Sequence, residues 1–392
     1  MSKRIAIVNQ RYGKEVIGGS EYYTRLIAQR LAERYEVEIL TTTAKDHETW
    51  ANEYPKGVEK IDGIPVRRFA TKKQRKISEF APLNGEICLS KKRTREQEEH
   101  WLVEQGPLVP ELIAYIREHG QDYDVFVFVT YLYYPTVMGL REVADKSILI
   151  PTAHDEWPIY FSIYQNVFRN AKAMIFLTQE EQALVHKLFR NEEIGSEVVG
   201  VGIDVPDDVA ASRFREKYSI STQYLTYVGR IENGKGCEWL IKYFLEYKKR
   251  NPGDLKLVLM GKKLIDIPKD PDIICLGFVS EQDKFDGVAG AKALLLPSAF
   301  ESLSISVLEA MSIGTPVIVN GVCEVLKGHC IKSNAGLYYR DYFEFEGCVN
   351  YMLAHPEQVA QMQENAKQYV HDHYRWDVIM QQFDRIIETV TD

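Results

Sequence analysis

The chain has 392 residues, which is too many for one ordinary hydrophobic core and favours two or three domains. Hydrophobic residues make up 45% of the chain and charged residues 27%, so the composition is that of a globular protein and excludes a mainly disordered one. The 48 Lys and Arg residues are outnumbered by 56 Asp and Glu residues, which gives a net charge of −8, and we expect no nucleic-acid partner.

The cysteines and the apolar runs bear on where the protein works. The six cysteines include no C-x-x-C pair, so neither a zinc ribbon nor a disulfide framework is predicted. The apolar run at residues 5–8 is too short for the core of a secretion signal. No run approaches the roughly 18 apolar residues that are needed to span a bilayer. We therefore expect a cytoplasmic protein.

Short apolar runs alternate with helical patterns along the first half of the chain. Residues 20–35 carry apolar side chains at helical spacing. The runs that are typical of buried parallel strands are residues 5–9, 37–42, 124–130, 147–152 and 173–178. Because strand–helix–strand alternation gives parallel sheets with right-handed crossovers, the first half is predicted to be a doubly wound α/β domain.

The same alternation starts again after a Gly- and Pro-bearing segment, residues 198–206, which we interpret as a hinge. The predicted strands of the second half are residues 224–228, 256–260, 273–276, 293–297 and 316–319. Two similar domains imply a cleft between them. In open α/β sheets, ligands bind beyond the carboxyl ends of the strands, so the chemistry is expected there.

Residues 67–95 form a basic segment in an acidic chain. Its cations beyond Arg67 are Lys72, Lys73, Arg75, Lys76, Lys91, Lys92, Arg93 and Arg95. One interpretation is a solvated loop. The other is a cationic surface for an anionic membrane or a phosphorylated acceptor.

Residues 229–236 read Gly-Arg-Ile-Glu-Asn-Gly-Lys-Gly between a predicted strand and a predicted helix. They nearly match a P-loop, but Gly236 stands where that motif needs Ser or Thr to place a hydroxyl on Mg²⁺. Arg230 and Lys235 flank a turn at a helix N-terminus, where backbone N–H groups and the helix dipole favour a phosphate. The alternative is a surface turn with two solvated cations.

The next motif, residues 297–316, contains two glutamates. Glu301 lies at the end of a predicted strand, and Glu309 lies in a late-starting helix that we expect Ser306 and Glu309 to cap and Gly314 and Pro316 to end. In a continuous helix the two carboxylates would lie about 12 Å apart, which is comparable to the length of a sugar nucleotide. They are therefore spaced to bind two ends of one ligand, and too far apart for an acid/base pair on one bond.

Taken together, these motifs resemble a known family. The G-R…G-K-G turn is followed by Glu-x7-Glu and by E-A-M-x-x-G-T-P-V, and a Gly-Gly-Ser-Glu loop, His-Asp and Gly-Ile-Asp occur in matching order. The chain resembles the large retaining nucleotide-sugar glycosyltransferase family with the GT-B fold (glycosyltransferase family 4-like). The resemblance implies two Rossmann-like doubly wound domains facing across a cleft. The expected domains are residues 1–205 on the acceptor side, residues 206–375 for the nucleotide sugar, and residues 376–392 as a helix that returns to the first domain.

The resemblance also assigns roles in binding the nucleotide. Arg230 and Lys235 would contact the donor diphosphate, and Glu309 would accept hydrogen bonds from the ribose hydroxyls. Gly277 and Phe278 would lie in the base-binding segment. The implied donor is a UDP- or GDP-sugar, and no divalent metal or other cofactor is expected.

A second set of roles concerns the transferred sugar. Glu301 would hold its hydroxyls, helped by backbone N–H groups around Leu303 and Ser304. His154 would lie beside the sugar near the reacting centre. Two glycines, Gly18 and Gly19, would let the backbone approach the phosphate or the acceptor. The expected catalytic residues are Glu301, His154, Arg230 and Lys235, and no general base is assigned.

The chain departs from the family at one point. Commoner members carry an aromatic residue and Gly where this chain has Leu303 and Ser304. A β-carbon at Ser304 narrows the space beside the phosphate or sugar, which leaves the donor's identity open.

The expected activity is metal-independent retaining transfer of a hexose to a saccharide or lipid-linked acceptor, in cell-surface polysaccharide or glycoconjugate synthesis. Two alternatives stay open. One is a sugar-nucleotide epimerase of the same fold, which would need an added acid/base constellation. The other is a non-catalytic nucleotide-sugar-binding subunit, which would have no reason to keep all four of Arg230, Lys235, Glu301 and Glu309. Peripheral contact with an anionic membrane through residues 67–95 is also open.

Overall fold

The computed structural model describes residues 2–90 and 92–391, and the chain divides into two compact units. Unit one extends to Val201 and resumes at Asp377, and unit two is Gly202–Trp376. Each unit contains one sheet with helices packed on it. The strands predicted from apolar runs are present in both units, because a run of buried Val, Ile, Leu and Phe is what a sheet covered on both faces requires.

The sheet of unit one has eight strands among the described residues, in the order β3-β4-β2-β1-β5-β6-β7-β8. All neighbours are parallel except the antiparallel pair β3 and β4. The strands are β1 (Arg4–Val8), β2 (Glu36–Thr42), β3 (Gly57–Ile61), β4 (Ile64–Phe69), β5 (Val125–Val129), β6 (Ser147–Ile150), β7 (Ala173–Phe176) and β8 (Gly195–Val198). The prediction missed β3, β4 and β8, because β3 and β8 are edge strands and the side chains of β3 and β4 are not a continuous apolar run.

Helices cover this sheet. Their bounds are α1 (Gly19–Ala32), α2 (Ile77–Leu89), α3 (Arg95–Gln105), α4 (Pro110–His119), α5 (Tyr134–Glu142), α6 (Gln165–Asn170) and α7 (Gln179–Phe189). In α1 the buried side chains of Tyr23, Ile27, Ala28 and Leu31 lie at positions i, i+4, i+5 and i+8, which is the spacing that places them on one face.

Of the two interpretations of the basic segment, the solvated loop is wrong for Ile77–Leu89, which form a helix, whereas residues 70–76 are a loop with exposed lysines. The segment contains the end of β4 and the whole of α2, whose side chains Phe80, Leu83 and Ile87 pack against the core at helical spacing. Arg75 donates to the carbonyls of His47 and Glu48, and Lys91 lies outside the described residues. The other paired cations are Arg67 with Glu38, Lys73 with Glu104, Lys76 with Glu79, Arg93 with Glu98 and Arg95 with Glu99.

The sheet of unit two is parallel, in the order β11-β10-β9-β12-β13-β14. Its strands are β9 (Tyr224–Val228), β10 (Lys256–Met260), β11 (Ile273–Gly277), β12 (Leu294–Leu296), β13 (Val317–Asn320) and β14 (Gly336–Tyr339), the last of which the sequence did not predict. The helices of this unit are α8 (Ala211–Lys217), α9 (Cys237–Arg250), α10 (Glu281–Ala289), α11 (Ile305–Ser312), α12 (Glu324–Ser333), α13 (Tyr342–Ala354) and α14 (Pro356–His373).

The last helix, α15 (Trp376–Thr391), packs on unit one. One face of α15 is apolar and buried from Ile379 to Val390. At its polar edge, Asp384 accepts a hydrogen bond of 2.7 Å from the Tyr35 hydroxyl, and Arg385 pairs with Glu197 at 2.9 Å. Burial of the apolar face therefore holds the C-terminal helix on unit one.

Over residues 2–90 and 92–391, the longest apolar helical stretch falls short of what would cross a bilayer.

Candidate active site

The predicted phosphate turn follows β9 and leads into α9. A short 3₁₀ turn spans Asn233–Lys235, and Gly236 then adopts φ +75° before the helix begins. A Cβ at Gly236 would lie 2.6 Å from the carbonyl oxygen of Pro297, at the end of β12. Gly236 is thus required by both its backbone angle and its packing. The hydroxyl-bearing residue of a P-loop has no room here, which explains the departure from that motif.

Lys235 and Glu301 are in direct contact. The Lys235 Nζ lies 2.6 Å from the Glu301 Oε1, and both side chains are mostly buried. Their strands, β9 and β12, are neighbours in the sheet, so the loops at their carboxyl ends meet. The fold therefore unites two residues that are far apart in sequence and that were predicted to bind adjoining parts of one ligand.

Arg230 belongs to the same turn as Lys235. Its Nη2 lies 3.0 Å from the Oε1 of Glu232, and its carbonyl accepts a hydrogen bond of 2.7 Å from the Tyr227 hydroxyl. The buried tyrosine thus fixes the backbone of the turn, and the guanidinium sits in a partly exposed ion pair that an anionic ligand can exchange for its own oxygens.

Glu309 lies within α11 and is only 9% exposed. Its Oε1 is 2.8 Å from the Nζ of Lys284 on α10, and that ammonium also contacts Glu281 at 2.8 Å. Burial raises the pKa of Glu309, and the Lys284 ammonium opposes that rise. Lys284 was not predicted, because its role arises from the packing of α10 on α11.

The predicted capping of α11 by Ser306 and Glu309 is wrong. The helix begins at Ile305, so Ser306 is already helical, and Ser304 precedes it in the left-handed region with φ +70°. Glu301 lies in the loop before the helix, so the estimate of about 12 Å for a continuous helix between the two glutamates does not apply. The backbone at Ser304 is therefore in a conformation that favours the glycine of commoner family members.

The predicted base-binding residues lie at the end of β11. Gly277 has φ +69°, and its carbonyl accepts a hydrogen bond of 2.7 Å from Gly261 at the end of β10. A Cβ at Gly261 would lie 1.9 Å from the Gly229 carbonyl oxygen, so these three loops pack backbone to backbone. The ring of Phe278 is 79% exposed and available for stacking.

In unit one, Gly18 and Gly19 have different surroundings. A Cβ at Gly18 would lie 2.0 Å from the Glu21 Oε2, whereas a Cβ at Gly19 would meet nothing within 4 Å. Glu21 is buried and pairs with Arg11 at 2.6 Å, with Gln10 donating a further hydrogen bond of 2.8 Å. The space beside Gly18 is filled by this internal ion pair, while Gly19 is open.

His154 follows β6, in the loop that also carries Glu156. The His154 Nδ1 lies 3.2 Å from the Glu156 Oε1. Burial raises the pKa of Glu156 to about 7. Behind this loop the buried carboxylate of Glu181 accepts hydrogen bonds from the backbone N–H groups of Ala153, at 2.5 Å, and Leu177, at 2.6 Å. Glu181 therefore fixes the loop that presents His154. Neither Glu156 nor Glu181 was predicted from the sequence.

Comparison with known proteins agrees with this geometry. Residues 222–355 match the family model described as Glycosyl transferases group 1. An uncharacterized glycosyltransferase of Methanocaldococcus jannaschii is 28% identical over 167 residues, which are 40% of this chain and 42% of that protein. The match thus spans about two fifths of the relative's length.

Two solved structures match over nearly the whole chain. A sucrose-phosphate synthase from Thermosynechococcus elongatus gives a TM-score of 0.72 at 16% identity, over 99% of both chains. Anabaena HepE in complex with UDP-glucose gives 0.69 at 16% identity, over 98% of this chain and 99% of that one. The two parallel sheets and these matches define the GT-B fold, built from two Rossmann-like domains. The chain thus has the GT-B fold, and its residues 222–355 are similar to the glycosyl transferases of group 1, in agreement with the resemblance that its motifs predict.

The surroundings of the two glycines give a matched pair of substitutions. Gly18→Ala should lower the free energy of unfolding by about 1–3 kcal/mol, because the added methyl group collides with the buried Glu21 carboxylate. Gly19→Ala should leave stability unchanged or raise it by up to about 1 kcal/mol. Urea unfolding followed by circular dichroism measures both. Equal stability of the two variants would contradict the packing described for Gly18.

The pKa of Glu156 predicts a pH dependence of stability. The folded chain holds the Glu156 proton up to about pH 7, whereas the unfolded chain releases it near pH 4.5. The contribution of Glu156 to the free energy of unfolding is therefore fully present below pH 4.5 and is lost as the pH rises through 7. As the pH rises from 4.5 to 8, the free energy of unfolding of Glu156→Gln should therefore increase by about 1–3 kcal/mol relative to that of the parent. Thermal unfolding at a series of pH values tests this, with the exposed Glu118→Gln as control. A pH-independent difference between Glu156→Gln and the parent would refute it.

Proposed function

We propose that the chain is a retaining glycosyltransferase that moves a hexose from a nucleoside diphosphate to a hydroxyl of a saccharide or lipid-linked acceptor, in cell-surface polysaccharide or glycoconjugate synthesis. The observation that carries the proposal is the contact of 2.6 Å between Lys235 and Glu301 at the ends of β9 and β12. The ammonium suits a diphosphate, and the carboxylate suits the hydroxyls of the sugar attached to it. A ligand that carries both groups can replace this ion pair without leaving either charge unpaired.

The diphosphate is the leaving group of the reaction, and its negative charge grows in the transition state. Arg230, Lys235 and the N–H groups at the start of α9 would stabilise that charge. These groups occupy fixed positions before the reaction, because Gly236 packs against Pro297 and Tyr227 holds the carbonyl of Arg230. In this proposal the protein's own cations carry the charge, and no divalent ion is required.

The nucleoside would lie along the neighbouring loops. Glu309 is the proposed acceptor for the ribose hydroxyls, with Lys284 opposing the rise in its pKa that burial causes. The exposed ring of Phe278, after Gly277, is the proposed stacking partner of the base. A UDP-sugar is the favoured donor, since HepE, which shares the fold, was solved with UDP-glucose.

Retention of configuration follows from attack on the leaving-group side. The acceptor hydroxyl attacks the anomeric carbon while the bond from that carbon to the diphosphate oxygen breaks, and the hydroxyl proton passes to the departing diphosphate. No protein base is needed for this proton. The proposed role of Glu301 is to orient the sugar, and His154 with Gly18 and Gly19 is proposed to act from unit one on the sugar and the acceptor.

Removing either member of the central ion pair should nearly abolish transfer. Lys235→Ala and Glu301→Ala should each lower kcat/KM by at least about 100-fold, because each removes a contact to the reacting part of the donor. The donor is first chosen as the UDP- or GDP-sugar that raises the melting temperature of the parent protein most. Transfer is then measured by chromatography of the glycosylated product.

The matched control is Lys242→Ala, which breaks an exposed pair with Glu238 on α9 and should keep transfer within about twofold. Parental rates in both Lys235→Ala and Glu301→Ala would refute the site. Conversion of the nucleotide sugar to an isomer without an acceptor would instead identify an epimerase.

A peripheral membrane contact is proposed for α2. Most cations of the basic segment are paired, but α2 exposes apolar side chains between lysines: Ile77 is 45% exposed and Leu89 is 83% exposed. Lys72, Lys73 and Lys76 precede the helix, and all three are exposed. Apolar groups beside exposed ammonium groups suit the boundary of an anionic bilayer.

Binding to anionic vesicles tests this contact. The parent protein should sediment with phosphatidylserine vesicles, and this binding should weaken as salt increases. Replacing Lys72, Lys73 and Lys76 by Glu should lower the vesicle affinity at least about tenfold, since each basic residue near such a surface contributes roughly 1 kcal/mol.

A control with the same change in charge is available in unit two. Lys249, Lys269 and Lys332 are exposed there, and replacing them by Glu should leave vesicle binding nearly unchanged. If the two triple variants lost vesicle affinity equally, only the net charge of the protein would matter, which would contradict the proposal. Vesicle binding that does not weaken with salt would contradict it as well.

A further inference from the structure

His329 is a completely buried imidazole in α12, and it contacts the loop that carries Glu301. Its Nε2 lies 2.7 Å from the carbonyl oxygen of Leu303, and its Nδ1 lies 3.1 Å from the hydroxyl of Tyr369 on α14. A carbonyl oxygen only accepts hydrogen bonds, so Nε2 carries a proton. In the neutral ring Nδ1 then accepts from Tyr369.

The hydrogen bond from the His329 Nε2 to the Leu303 carbonyl orients a whole peptide group. The Leu303 carbonyl and the Ser304 N–H belong to one planar trans peptide group, so they point in opposite directions. Holding the carbonyl toward His329 therefore directs the Ser304 N–H away from it. Ser304 needs this support, because its φ of +70° is uncommon for a residue with a side chain.

The support extends through a buried chain of polar groups. The Tyr369 hydroxyl lies 3.3 Å from that of Tyr374, and the Tyr374 carbonyl accepts a hydrogen bond of 3.0 Å from the N–H of Ile203, next to the first residue of unit two. The loop after β12 is thus connected through α12 and α14 to the point where the chain enters unit two. Satisfied buried networks of this kind hold one backbone arrangement.

We propose that His329 is a positioning residue of the donor site, whose Nε2–H sets the Leu303–Ser304 peptide so that the Ser304 N–H meets the transferred sugar. The proposal rests on the proposed function for the identity of that ligand. The hydrogen bonds described for the His329 imidazole are with Leu303 and Tyr369, whereas the diphosphate and the nucleoside are assigned to Arg230, Lys235 and Glu309. Loss of His329 should therefore affect the sugar part of the donor selectively.

The first test compares affinity for UDP with affinity for the UDP-sugar. His329→Phe removes the N–H donor and should weaken UDP-sugar binding and lower kcat at least about tenfold, while the Kd for UDP stays within about twofold. His329→Gln keeps an N–H within reach and should recover most of the loss. Isothermal titration and initial rates give both quantities. An unchanged ratio of the two affinities in His329→Phe would overturn the proposal.

A matched control separates positioning from general destabilisation. Thr315 is buried in unit two, and its hydroxyl donates a hydrogen bond of 3.0 Å to the Val288 carbonyl, away from the Glu301 loop. Thr315→Val should reduce stability and leave the ratio of UDP-sugar to UDP affinity unchanged. Parallel behaviour of Thr315→Val and His329→Phe would mean that His329 is merely structural.

Hydrogen exchange gives a readout that needs no ligand. Backbone amides of residues 301–304 should exchange faster in His329→Phe than in the parent or in Thr315→Val, and exchange that matches the parent would overturn the proposed hydrogen bond. If the parent bound no UDP- or GDP-sugar and neither nucleotide, the proposed function would fail. Hydrogen exchange would still decide whether His329 holds the loop. Should His329→Phe not fold, Tyr369→Phe is expected to give the same selective changes to a smaller degree, and parental exchange there would count equally against the proposal.

Discussion

A buried charge is tolerated only when an opposite charge or a set of hydrogen bonds compensates for the water it has lost, and this constraint shapes the whole site. Without a ligand, Lys235 is held by Glu301, and Glu309 is held by Lys284. A simple dianion that took Lys235 would leave Glu301 uncompensated beside another negative charge. In the proposed function, a diphosphate that carries a sugar avoids this cost, because the hydroxyls of the sugar donate hydrogen bonds to the Glu301 carboxylate. In that function, the ion pair would therefore favour an activated sugar over a bare phosphate.

Close backbone packing provides the second condition, since the charged side chains must start from fixed points. Gly236 brings the turn after β9 against Pro297, and Gly261 brings the loop after β10 against Gly229. At both glycines φ is positive, and a Cβ would lie too close to a carbonyl oxygen. In the proposed function, this tight contact of three loops at the ends of neighbouring strands would give the diphosphate a rigid surface of N–H groups and cations, which is the arrangement that electrostatic stabilisation of a leaving group requires.

The sequence predicted those parts whose signal is local. Buried central strands are apolar runs, and Arg230, Lys235, Glu301 and Glu309 stand at recognisable spacings. Strands β3, β8 and β14 were not predicted because they are edge strands whose side chains are largely exposed or only partly buried. Helix α2 was not predicted because the basic residues on either side of it drew attention away from its apolar face. Lys284, Glu156 and Glu181 could not have been found, because their roles depend on which helices and loops pack together. The cap predicted at Ser306 failed because the turn at Ser304 has a positive φ that only the tertiary structure reveals.

Ser304 shows why residues behind a site matter as much as those that line it. With glycine, the positive φ would cost little, and the loop could adopt it unaided. With serine, the same backbone must be stabilised from outside, and the described structure supplies that through the His329 imidazole, the Tyr369 hydroxyl and the Tyr374 hydroxyl. The serine, whose side chain narrows the space beside this loop, thus occurs together with a buried network that restricts the backbone of the loop. On this view the serine and the histidine form one unit, and the space left beside the Ser304 Cβ sets which sugars fit.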